Sequence, residues 1–242
     1  TGRGSNYNAY EYVGFGTTTG LGKQQLDEAE ELLIKAWTED NVNFQGDHWQ
    51  VSFPSVRPRP YQRPHPPLAR ACTGDDSLVE MAKIGRPVLI RGNSCNATGE
   101  KVKLYRDTMS AAGFNDEAVE DALDQLWVWR EMHVAETDDE AFDEFLAPHY
   151  AAYSHLEGIR AEWNPPEMEI SIQRAPLGRS EYAASPNPDK SENLVGGYKR
   201  VAEQVAMLRD VGVRNLMLTN RGLVSQEKAN KSLRLLSEKI MP

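Results

Sequence analysis

The chain has 242 residues, 36 acidic and 27 basic, with a net charge of −9 and a 40% hydrophobic composition. That length supports one large domain or two small ones with a sizeable core, and the composition excludes global disorder. No apolar run approaches the ~18–20 residues of a membrane span, and the acidic balance argues against a broad nucleic-acid surface. Cys72 and Cys95, the 2 cysteines, make neither a disulfide framework nor a zinc set, and read as reduced thiols of a cytoplasmic protein. There is no signal peptide, and the opening Thr1 in place of Met suggests a true start further upstream.

Residues 1–23, rich in Gly, Asn, Tyr and Thr, predict loop. Gln25 to Trp37 predicts helix, because Leu26, Ala29, Leu33 and Trp37 fall at helical spacing. Asn41 to Phe53 predicts a hairpin turning at Gln45-Gly46-Asp47. The proline tract from Pro54 to Pro67 excludes helix, and reads as an extended connection rather than an exposed PxxP ligand. Strand and helix then alternate. Leu68 to Cys72 predicts a strand, Thr73 to Asp76 a capping turn, and Ser77 to Ile84 a helix closed by Gly85. Pro87 to Ile90 predicts a strand, Arg91 to Thr98 a polar turn, and Glu100 to Ala112 a helix closed by Gly113. Gln125 to Ala135 predicts a longer strand. Thr137-Asp138-Asp139-Glu140 opens a helix reaching about His155. Residues 162–193, rich in Pro and Ser, break the rhythm and read as a lid or insertion. Gly197 to Val211 predicts a helix stopped at Gly212, Val213 to Leu218 a strand, and Ser225 to Ile240 the last helix. This alternation argues for a parallel sheet with helical crossovers.

The turn Cys72-Thr73-Gly74-Asp75-Asp76-Ser77 carries the first chemical signal. Free N–H groups at a helix N-terminus attract anions, Gly74 permits close approach, and the hydroxyls of Thr73 and Ser77 add donors. Asp75 and Asp76 count against an anion unless they point to solvent. Arg3 is a candidate bidentate phosphate donor. Gly16 to Lys23 fails as a nucleotide loop, with one residue too many and Gln24 in the magnesium position. The 5 His residues form no metal set: His149 and His155 do not share a helix face, and His48, His65 and His133 sit on extended segments. No Ser, Cys or Lys has a recognisable nucleophile context.

Several stretches, taken in order, resemble the bacterial-luciferase-like flavin monooxygenase family. They are Gly2-Arg3-Gly4 with Tyr10-Glu11-Tyr12 and Gly14-Phe15-Gly16; Glu28 to Trp37 followed by Val42 to Trp49; the proline-spaced run Pro58 to Pro67; Val211 to Leu218; and Ser232 to Pro242. The resemblance implies an α/β fold, a TIM-like (β/α)8 barrel, here without its first three to four strands. It implies a single domain over 1–242 with the lid or insertion at 162–193. It places the flavin phosphate at Thr73, Gly74 and Ser77, with Arg3 reaching the same phosphate and Arg91 near the flavin ring. It implies reduced FMN supplied by a flavin reductase, a small organic substrate, O2 as co-substrate and a homodimer. It names no catalytic residue. A deazaflavin (F420)-dependent oxidoreductase of the same barrel is the alternative, and a non-catalytic flavin-binding subunit a further one.

Overall fold

The computed structural model describes residues 9–91, 94–164, 193–220 and 224–241. The chain divides into two compact units, residues 1–68 with 159–172 and residues 69–158 with 173–242.

The first unit contains α1 (Ala9–Gly14), a 3-10 turn (Thr19–Leu21), α2 (Gly22–Thr38) and the antiparallel strands β1 (Val42–Gln45) and β2 (Gln50–Phe53). The helical start at Ala9 corrects the loop expected there. The expected helix forms, and its apolar stripe of Leu26, Ala29, Leu33 and Trp37 is half-buried. The hairpin forms with Val42 opposite Phe53 and Gln45 opposite Gln50. Its turn is held by a carboxylate from α2. Glu28 accepts from the backbone N–H groups of Asp47 (2.9 Å), His48 (3.0 Å) and Trp49 (2.6 Å). A Cβ at Gly46 would lie 2.1 Å from Glu28 Oε1, so a glycine is needed for this approach. The proline tract forms neither helix nor strand and bends over residues 61–66, and it is tied down where Arg59 donates to the Trp37 carbonyl at 3.2 Å and pairs with Asp40.

The second unit is built on five parallel strands: β3 (Arg70–Cys72), β4 (Val88–Arg91), β5 (Trp127–Ala135), β6 (Leu194–Gly197) and β7 (Asn215–Thr219). β3 pairs with β4, and β4 with the first residues of β5. The length of β5 lets it take two further partners, β7 along Trp127–Glu131 and β6 along Met132–Ala135. Successive side chains on a strand point to opposite faces. On β5, Val128, Met132 and Val134 therefore join the main core, while Ala135 belongs to a second cluster.

The main core packs the first of these faces against α3 (Asp75–Lys83), α4 (Cys95–Ala111), α5 (Asp116–Asp124), α7 (Tyr198–Asp210) and α8 (Gln226–Leu235, continued as a π turn to Ile240). Leu78, Met109, Leu123, Val128 and Leu208 are buried in it. A Cβ on Gly99 of α4 would lie 2.7 Å from the Val211 side chain, so only glycine admits this contact. Arg130 shares the helix-facing side and donates to Thr98 Oγ1 at 2.8 Å. The second cluster packs Ala135 and Val195 against Phe142, Phe145 and Leu146 of α6 (Asp138–Trp163).

Several boundaries differ from expectation. α4 begins at Cys95, not Glu100, because the Ser94 hydroxyl accepts from the Ala97 N–H and caps it four residues into the expected turn. α5, which the sequence pattern did not announce, is capped by the Asn115 side chain accepting from Ala118 N–H. β6 is a strand where none was expected. The capping sequence at Thr137 acts as read, its hydroxyl accepting from Glu140 N–H at 3.2 Å. Gly113 (φ 95°) and Gly212 (φ 93°) adopt the left-handed conformation that stops α4 and α7.

Candidate functional site

The candidate turn lies at the end of β3. The strand is short because its partner register ends at Cys72 opposite Ile90. Thr73 and Gly74 then lead into α3, with Gly74 as the cap residue. Gly74 has extended backbone (φ −101°, ψ 162°) and no side chain to offer, so no side-chain cap closes this end of α3. The space around it is open: a Cβ there would meet nothing within 4 Å. Thr73, Asp75 and Asp76 are exposed and Ser77 is half-buried.

The two hydroxyls expected as donors part company here. Ser77 Oγ donates to the Gly74 carbonyl at 2.8 Å, so its proton is used inside the turn. Thr73 stays at the surface. A cation enters that the sequence reading missed. Lys101, on α4, donates from Nζ to the Thr73 carbonyl at 3.0 Å and lies 3.6 Å from Asp75 Oδ1. Its side chain is only 15% exposed, so the charge is held against the turn. Cys72 closes the floor, its Sγ 3.5 Å from the Ser77 carbonyl. Burial pushes its thiol pKa up, which keeps it a neutral thiol.

Arg91 ends β4 one residue past the position opposite Cys72, and its guanidinium lies 5.9 Å from the ring centre of Trp129. The register also pairs Arg91 with Trp129, and Trp129 with Met217. These three therefore form one row on the face of the sheet opposite the main core. Trp127 and Met217 on this face are 41% and 43% exposed, although large apolar side chains are usually covered. Thr73, Gly74, Ser77 and Arg91 are thus gathered at the C-terminal ends of neighbouring strands. Arg3 and residues 165–192 of the expected lid lie outside the described residues.

The same face carries a buried polar stack further along β5. His133 Nε2 lies 2.8 Å from Glu144 Oε2, and His149 Nδ1 lies 3.1 Å from Glu131 Oε2. Burial pushes the Glu144 carboxyl up, but hydrogen bonds from His133 and Lys228 outweigh it and hold its pKa below the usual range. Beyond the strand end, a cleft of 410 Å³ is lined by residues including Glu136, Asp138, Lys199 and Arg200. Asp138 already accepts from Gly197 N–H at 2.7 Å there. Among the described residues no group of His, Cys, Asp and Glu has the arrangement of a metal site. No helix among them is long and apolar enough to cross a membrane.

Residues 2–215 match the model of the luciferase-like monooxygenase family. The chain belongs to that family. It is 24% identical over 198 residues to an FMNH(2)-dependent dimethylsulfone monooxygenase of Pseudomonas putida, which covers 78% of this chain and 51% of that protein. The chain therefore spans about half the length of this curated relative. Among solved structures, the monooxygenase RslO1 of Streptomyces bottropensis superposes with a TM-score of 0.70 at 21% identity, over 100% of this chain and 67% of that one. The oxygenating constituent of 3,6-diketocamphane monooxygenase from Pseudomonas putida, in complex with FMN, gives 0.59 at 15% identity, over 90% and 63%. The coenzyme F420-dependent tetrahydromethanopterin reductase of Methanopyrus kandleri gives 0.58 at 13% identity, over 93% and 64%. These likenesses establish the α/β fold of the luciferase-like TIM barrels, of which the described residues contribute five parallel strands.

The turn at Gly74 fits the phosphate of a flavin mononucleotide. It offers a helix N-terminus whose cap residue has no side chain, open space over a glycine and an adjacent ammonium group. Each of these favours a bound anion. Asp75 and Asp76 oppose it, and Lys101 partly offsets the nearer of the two charges.

Proposed function

We propose that this chain forms part of a flavin-dependent monooxygenase that uses reduced FMN and O2 to oxidise a small organic substrate. The observation that carries the reading is the open, uncapped start of α3 beside Lys101, in a chain of the luciferase-like monooxygenase family. The backbone N–H groups that open α3 and the Lys101 ammonium hold the phosphate and Thr73 adds its hydroxyl, with Arg3 assigned to the same group by the family resemblance alone. Ser77 shapes the turn by fixing the Gly74 carbonyl. Arg91, stacked toward Trp129, borders the flavin ring. The reduced flavin supplies the activation of O2, and the protein binds, orients and shields it. A flavin reductase, a second copy of the chain and a cytoplasmic setting complete the proposal, and the dimethylsulfone relative supports the use of FMNH2.

The second reading is a deazaflavin-dependent oxidoreductase, supported by the shared fold of F420-dependent enzymes such as the reductase of Methanopyrus kandleri. Titration of the protein with reduced FMN and with reduced F420 separates the two. Tight binding of reduced FMN with substrate-dependent O2 consumption is the expected result. Binding of F420 alone, with hydride transfer and no O2 uptake, would replace the first reading by the second. Flavin binding with no turnover, and activity only after mixing with a homologous subunit, would make the chain a non-catalytic partner.

A further inference from the structure

Thr73, Arg91 and Trp129 stand in one line across neighbouring strands. The register sets Cys72 opposite Ile90 and Ile90 opposite Val128, then Arg91 opposite Trp129 and Trp129 opposite Met217. Thr73 follows Cys72, so the chain leaves β3 for the Gly74 turn at the level of Arg91. Adjacent strands lie about 4.8 Å apart, which puts Arg91 one strand from that turn and Trp129 two strands, roughly 10 Å. A phosphate at Gly74 with its ribityl chain laid along this line brings the flavin ring over β4 and β5.

The residues found there suit a flat ring that carries negative charge. Trp129 is half-buried on the face opposite the main core, and neither hydrophobic cluster includes it. Packing of the sheet against its helices therefore does not account for so large a side chain. The Arg91 guanidinium lies 5.9 Å from the Trp129 ring centre, within reach of cation–π attraction. That contact holds the guanidinium on this face. A guanidinium has five N–H donors in a plane, so it can serve protein groups and a ligand together.

The two redox forms of a flavin differ in the charge that such a group meets. The oxidised ring is neutral. The reduced ring gives up its N1 proton near neutral pH, and the charge spreads over N1 and the adjacent carbonyl oxygen. Charge placed near N1 is one of the means by which a protein tunes this cofactor.

We propose that Arg91, held by Trp129, selects reduced over oxidised flavin in this chain. This rests on the flavin-site reading and deepens it. The phosphate turn receives both redox forms alike, and Arg91 answers the charge that reduction creates. Arg91 donates N–H groups to the anionic edge of the ring, and Trp129 fixes the direction from which they are presented. An oxidised ring meets the same donors with a neutral acceptor and gains less, because a hydrogen bond to an ionised group is about twice as strong as a neutral one. The difference favours departure of the oxidised form and its replacement by reduced flavin.

The test measures the affinities of the wild type, Arg91→Gln, Arg91→Lys and Trp129→Leu for oxidised FMN and, without oxygen, for reduced FMN. Both forms of riboflavin are measured alongside. The wild type should bind reduced FMN roughly tenfold or more tighter than oxidised FMN. A tenfold ratio raises the potential of the bound flavin by about 30 mV over that of the free one. Arg91→Gln should bring the ratio to within about threefold of unity by weakening the reduced form, with the oxidised form held within about twofold. Arg91→Lys keeps the charge and should keep most of the ratio, and Trp129→Leu should lower it. Riboflavin should follow the same pattern, since the charge lies on the ring. A wild-type ratio near one, or a ratio that Arg91→Gln leaves unchanged, overturns the proposal. So does a loss seen with FMN and absent with riboflavin, which would put Arg91 at the phosphate. A readout on the wild type alone covers a misfolded variant: absorbance of bound reduced FMN across pH should show the N1 proton leaving at lower pH than in free reduced FMN. Loss at the same or higher pH overturns the proposal. If the wild type binds neither form, the flavin reading fails and the selection with it. Equal binding of both forms keeps that reading and rejects the selection alone.

Discussion

Two turns in this protein present clusters of backbone N–H groups, and they are finished in opposite ways. In the β1–β2 hairpin, Glu28 fills the cluster with its own carboxylate, accepting from Asp47, His48 and Trp49. At the start of α3 the chain supplies two carboxylates, Asp75 and Asp76, yet the cap residue has no side chain with which to cap the helix. Gly74 leaves the space open and Lys101 adds a positive charge beside it. The same chemistry, an anion on converging N–H groups, is internal in one turn and left for a ligand in the other. A satisfied cluster contributes stability, whereas an open one gives up that contribution and gains a binding site.

This contrast can be broken from either side. The largest effect is expected at the filled turn. Glu28→Ala removes the acceptor of three N–H groups, and because the turn is partly exposed, water replaces some of the loss. A cost of about 1.5–3 kcal/mol, that of hydrogen bonds to a charged group, is expected from denaturant unfolding. Flavin affinity should not change. A stability loss below ~0.5 kcal/mol would mean that the filled turn is not stabilising.

At the open turn, Lys101→Met keeps the stem packed and removes the charge. FMN affinity should fall roughly tenfold, about 1.4 kcal/mol, and riboflavin affinity should hold, since riboflavin lacks the phosphate. An equal loss for both ligands would move Lys101 away from the phosphate. The smallest effect is expected for Ser77→Ala. Its hydroxyl proton already goes to the Gly74 carbonyl, so flavin affinity should change by less than about 0.5 kcal/mol, below the usual worth of a hydrogen bond. A loss above tenfold would show that the hydroxyl turns to the ligand.

The parts of the fold that the sequence announces are those with a local cause. α2 has its apolar stripe, the hairpin its alternation about Gly46, and α6 its capping residues at Thr137 and Glu140. α5 escapes notice because nine residues with only Val119, Ala122 and Leu123 buried give too short a stripe. β6 is harder still. Leu194-Val195-Gly196-Gly197 reads as a break before a helix, because two of its four residues are glycines that weaken a strand. Its pairing with Met132–Ala135 makes it a strand, and that is a tertiary fact. The site divides in the same way. Thr73 and Gly74 are legible from strand, turn and helix in succession. Lys101 is not, since it reaches the turn from 28 residues away. Ser77 bonds inward by a local pattern, three residues back to the Gly74 carbonyl, which the reading of its hydroxyl as a ligand donor passed over.

The central claim is that the start of α3 is left uncapped to receive a phosphate, and Gly74→Asp addresses it directly. The backbone at Gly74 is extended and nothing lies within 4 Å of an added Cβ, so the new Cβ is accommodated without a clash. Aspartate is a helix cap better than glycine by a few tenths of a kcal/mol, and its carboxylate fills the open turn as Glu28 fills the other. Stability should hold or rise by a few tenths of a kcal/mol, while affinity for FMN falls by more than tenfold and affinity for riboflavin changes little. A variant that gains stability and still binds FMN as the wild type does would contradict the claim.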